Sequence, residues 1–173
     1  MRFAFPLCVL LLTAGLVAES SAGLRWTAPQ GWHAEGARPM RAATYTVSAA
    51  AGDHDPAECG VYFFGAGQGG SIEANIERWK GQFHTADGKP PAAHVAKRTV
   101  HGLAVTTIDT AGQYSGMGGP MGGGAEQPGY RLLGAIVEGP AGNIFIKFTG
   151  PAKTIAANQP RFEALLASFQ QDK

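Results

Sequence analysis

Cysteine is almost absent from this chain: Cys8 and Cys59 are the only two in 173 residues. A disulfide framework of the kind that staples small exported domains is therefore excluded, as is a zinc site built on paired cysteines. Charge is sparse as well, with 14 Lys and Arg against 13 Asp and Glu, a formal net charge of +1, and basic residues that stand singly. Without a basic stripe there is no footprint for nucleic acid. Beyond the N-terminal segment no apolar run approaches the roughly 20 residues that a membrane-spanning helix needs. Glycine is plentiful, at 25 residues, so turns should punctuate the chain often.

Residues 1–22 read as a signal peptide. Arg2 supplies the positive start, Phe3 to Ala18 is almost uninterruptedly apolar, and Ser20-Ser21-Ala22 places small residues where signal peptidase reads them. The expected mature chain begins at Gly23, and the expected localisation is periplasmic or extracellular. Phe5-Pro6-Leu7 before Cys8 lacks the small residue that a lipidation site requires, which argues against an anchor. Residues 23–173 have the size of one domain able to bury its own core. Cys59 is then the single thiol, either buried or reactive.

Around the stretch Glu58–Phe83 the elements can be placed by period. Leu24–Ala28, Met40–Val47 and the run through Cys59, Val61 and Phe63 alternate as half-buried strands do. Ser71 is a natural N-cap, and Ile72, Ile76, Trp79 and Phe83 form the apolar stripe of a helix, with Glu73 and Glu77 ahead of Arg78 and Lys80 in the order the helix dipole prefers. Val95–Val100 and Leu103–Asp109 flank a His101-Gly102 turn as an antiparallel hairpin. Residues 112–129 show no periodicity and read as one long flexible glycine-rich loop. Tyr130–Glu138 and Asn143–Thr149 read as a second hairpin at the centre of the sheet, ended by Gly150-Pro151. A last helix carries Phe162, Leu165, Leu166 and Phe169, with Pro160 expected in its first turn.

Chemistry is harder to find. Gly65-Ala66-Gly67-Gln68-Gly69-Gly70 matches G-x-G-x-x-G after a strand and before a helix, with Asp87 beyond it, yet the hairpins that follow do not suit the parallel strands of a dinucleotide unit. No cofactor is expected. Asp53, His54, Asp55, Glu58 and Cys59 cluster donors without a metal-ligand spacing, and Met117 and Met121 lack a nearby His or Cys for a copper site. No nucleophile motif surrounds Cys59.

In WTAPQGW, RAATY, the strand-to-helix unit ending IERWKGQF, YRLLGAIVE, and NIFIKFTGPAKT followed by FEALLASF, the chain resembles the PsbP-like family over most of residues 24–169. That family includes an extrinsic subunit of the oxygen-evolving photosystem and many exported bacterial proteins. The resemblance implies an α+β fold, an antiparallel β-sheet with helices packed on both faces as an α/β/α sandwich, acting through surface loops. The expected function is that of an exported, non-catalytic accessory or binding protein. A small exported hydrolase or thiol enzyme is the alternative. The expected partner is a protein or small molecule, with no nucleic acid and no membrane span, and the chain is expected to be a monomer. Met117, Met121 and Gln127, in the glycine-rich loop, are the candidate partner-binding residues.

Overall fold

The structure is a computed structural model that describes residues 18–36, 38–116 and 126–172. Eleven strands and two helices occur there. A three-stranded sheet joins β1 (Ala18–Ser21), β2 (Leu24–Thr27) and β11 (Gln170–Gln171), with β2 in the middle. The large sheet runs β3 (His33–Ala34), β4 (Arg41–Val47), β5 (Ala57–Tyr62), β10 (Gly142–Pro151), β9 (Gln127–Gly139), β8 (Leu103–Tyr114) and β6 (Phe83–His84), and β7 (Ala93–Val100) pairs with β8 beside β6. Every ladder is antiparallel.

Because side chains alternate along a strand, β10 feeds two separate cores. Ile144, Ile146 and Phe148 enter one with Cys59, Val61, Trp26 and the helix α2 (Ala152–Ala167), while Phe145 enters the other with Ile136, Leu132 and the helix α1 (Ile72–Lys80). Ser71 caps α1 as expected, its Oγ accepting from the Ala74 amide at 3.1 Å. The glycine-rich turn before it is structural. Gly65, Gly67, Gly69 and Gly70 all have positive φ, and a side chain at Gly69 would collide with the Phe145 and Phe64 rings.

The expected α/β/α sandwich with helices packed on both faces is corrected by this architecture: each core meets a single helix, and neither helix makes the layer that a sandwich requires. The molecule is mostly antiparallel β-sheet. Segments read as helix or loop are drawn into ladders, because an exposed strand end is satisfied by pairing. Phe83, expected on the helix stripe, is in β6 opposite Tyr114, since Gly81 already ends α1. The glycine-rich stretch is shorter than residues 112–129, with β8 continuing to Tyr114 and β9 starting at Gln127. Gly150 and Pro151 still pair with β9. Pro160 lies inside α2 and not in its first turn, because Asp53 caps that helix from a distant loop: its Oδ2 accepts from the Thr154 amide at 2.8 Å and from the Thr154 hydroxyl at 2.7 Å.

The nine residues of α1 span about 14 Å. The 13 residues of β9 run about 44 Å. One short helix cannot cover that face.

Candidate functional site

The uncovered part of the α1 face holds a cavity of about 600 Å³, bounded by the start of β4, the end of β5, the C-terminal half of α1, and Phe145 and Lys147 of β10. Its shape follows from register. Lys147 lies between Gly60 on β5 and Gly134 on β9. The Trp79 indole rests on Gly134, where a Cβ would come within 2.7 Å of it, and the Tyr62 ring folds over Gly60 at the same distance. The two glycines thus let the Tyr62 and Trp79 rings settle onto the sheet on either side of Lys147, and those rings wall the cavity.

Lys147 is the one charged side chain among the buried described residues, 9% exposed. Its ammonium donates to Gln82 Oε1 at 2.6 Å and to the Tyr114 hydroxyl at 2.9 Å. Among the described residues no carboxylate lies within ion-pair distance of it. Burial, and secondly the positive charge of Arg78, lowers its pKa to about 8, against a smaller opposing pull from the Glu58 carboxylate. Burial also pushes the Tyr114 hydroxyl up to about 12, so it remains protonated as a partner.

The rim carries the other two cations. Arg41 pairs with Glu58 at 2.7 Å and lies over the Tyr62 ring at 5.1 Å. Arg78 donates to the Asn75 side-chain oxygen, a neutral partner, and Asn75 in turn ties α1 to the glycine turn through the Gly69 carbonyl at 2.7 Å. Tyr62 stacks on Phe64, and Phe64 tilts against Phe145. The result is an apolar, aromatic chamber with cations at its floor and mouth.

The residues singled out from sequence lie elsewhere. Gln127 pairs with Tyr114 at the start of β9, while Met117 and Met121 fall outside the described residues. Cys59 is fully buried on the opposite face, where burial raises its thiol pKa and withholds the thiolate. Asp53 is occupied as a helix cap and Glu58 by two arginines. Asp87 pairs with Lys89 in an exposed turn, and β5 pairs only with antiparallel neighbours, so the glycine motif does not open a dinucleotide unit. The cavity residues are distant in sequence, which hides the site. One signal was present: a lysine in NIFIKFT, within a strand read as central, must bury its ammonium.

No family model matches the chain, and no curated protein sequence does. Among solved structures, the fold is similar to cyanobacterial PsbP from Synechocystis sp. PCC 6803, with a TM-score of 0.56 at 13% identity over 96% of this chain and 98% of that one. A Pseudomonas aeruginosa protein of unknown function aligns with a TM-score of 0.47 at 13% identity, covering 88% of this chain and 94% of that one. The fold is PsbP-like. No described helix is long and apolar enough to cross a membrane.

Proposed function

We propose that the protein is an exported, non-catalytic accessory or binding protein that works by holding a small molecule in the α1-face cavity. One observation carries this reading: a chamber of about 600 Å³, in the range of small-ligand sites, is walled by aromatic rings and keeps a buried ammonium hydrogen-bonded to neutral groups alone. A buried charge without an opposite charge is destabilising, and such groups concentrate where function requires them. The resemblance to a family of accessory and exported proteins supports the same reading. A thiol enzyme centred on Cys59 would need a reactive sulfur that this fold keeps from solvent.

The neutral fluorophore N-phenyl-1-naphthylamine tests the chamber. One equivalent should bind with enhanced emission, and Phe64→Ala should weaken it about tenfold by removing a wall ring. Binding unaffected by Phe64→Ala would place the probe elsewhere and refute the cavity reading. Export is tested separately by intact mass of protein recovered outside the cytoplasm. A start at Gly23 would remove β1 from its pairing with β2, whereas a longer product would retain it.

A further inference from the structure

We propose that the ligand of this cavity is an amphipathic carboxylate, an apolar or aromatic body whose single anionic head group pairs with the Lys147 ammonium. The inference rests on the cavity reading above and adds the chemical class of the occupant. Among the described residues three cations, Arg41, Arg78 and Lys147, line the chamber, and no acidic residue does. Among the described residues, Arg41 alone of the three pairs with a carboxylate, that of Glu58. Residues 1–17 and 117–125 contain no Asp or Glu that could supply the missing charge.

An ammonium has three N–H groups, and Lys147 directs two of them to Gln82 and Tyr114. One donor is left at the floor. That matches one oxygen of a monoanion better than a phosphate dianion, whose charge and oxygens would demand several donors at once. The second carboxylate oxygen is within the chemistry of Arg78, whose guanidinium now meets only the neutral Asn75 oxygen. Between floor and mouth, Tyr62, Phe64, Phe145 and Trp79 present the faces and edges that a planar or apolar body stacks against.

Isothermal titration of the purified protein with 2-naphthoate, 2-naphthamide and 2-naphthyl phosphate tests the proposal. The naphthoate should bind at least about tenfold more tightly than the isosteric amide, the ratio expected for a charge-assisted hydrogen bond in a buried site. It should also bind more tightly than the phosphate. Lys147→Met and Lys147→Gln should erase the preference for naphthoate over the amide, because naphthoate loses a charge-assisted contact and the amide only a neutral-acceptor one. Arg78→Gln should reduce that preference in part. Near pH 8, naphthoate binding should take up a proton, read as a heat that depends on buffer ionisation.

Equal affinity for acid and amide in the wild type would overturn the anionic class while leaving the cavity reading intact. A preference that survives both Lys147 substitutions would remove Lys147 from the site, and tighter binding of the phosphate would overturn the carboxylate class. If none of the three compounds binds and N-phenyl-1-naphthylamine does not either, the cavity reading itself falls. The wild-type comparison decides the head group even if a Lys147 variant does not fold.

Discussion

The two faces of the large sheet are made by the same strands and treat volume in opposite ways. On the α2 face Ile146 and Phe148 of β10 meet Trp32, Phe162 and Leu166, with Cys59 and Val61 filling in beside them, and every one of these side chains is buried. On the α1 face Phe145 of β10 still packs beneath α1, but Lys147 stands between two glycines and borders open space. The first face shows what the sequence does to hold the fold together: large apolar groups, closely packed. The second shows material withheld, with a charge placed where hydrophobic packing would be more stable. A face that gives up stability in this way is where selection for binding is to be sought.

Substitutions that separate the faces sharpen the comparison. The largest effect is expected on the filled face: Phe148→Ala removes a ring that packs at 4.8 Å from Trp32 and 5.9 Å from Phe162. It should cost about 3–5 kcal/mol in urea unfolding. Affinity for N-phenyl-1-naphthylamine, measured on the remaining folded protein, should not change.

The open face should respond with the opposite sign. Lysine titrates near 10.5 when unfolded and Lys147 at about 8 when folded. Between those values the unfolded chain binds more protons, so stability rises with pH, and the penalty on the fold is complete below about pH 8. Lys147→Met should therefore stabilise the protein by about 3 kcal/mol at pH 7, falling to about 1 kcal/mol at pH 9.5. Parallel urea titrations at the two pH values check this. A destabilised Lys147→Met would mean that the lysine is a structural element and that the comparison of faces is misdrawn.

The smallest effect belongs to Cys59. Cys59→Ala should cost about 1–2 kcal/mol through lost packing. In the wild type a thiol reagent should react only as fast as the protein opens. Rapid labelling of the native protein would show that the filled face is not closed.

What the sequence makes legible divides along the same line. Local order was readable where neighbouring residues decide it: Ser71, Glu73, Arg78 and Lys80 mark α1, His101-Gly102 marks a hairpin, and the alternation through Cys59 and Val61 puts the thiol in the core. Where distant residues decide, local pattern misleads. Pro160 suggested a helix start because the Asp53 cap lies about a hundred residues away, with a separation of 101 to Thr154. Phe83 fits the helical period, yet a pairing with Tyr114 places it in a strand. The cavity is the extreme case, because Gly60, Gly134 and Lys147 become neighbours only through register. None of them is informative alone.

The measurement closest to the central claim is a titration of the Lys147 side chain by carbon NMR in lysine-labelled protein, its resonance assigned by its loss in Lys147→Met. In the free protein the midpoint should fall near 8, and saturating 2-naphthoate should move it upward as the anion stabilises the ammonium. A midpoint at the ordinary lysine value, unmoved by 2-naphthoate, would contradict both the burial of an uncompensated charge and the site built upon it.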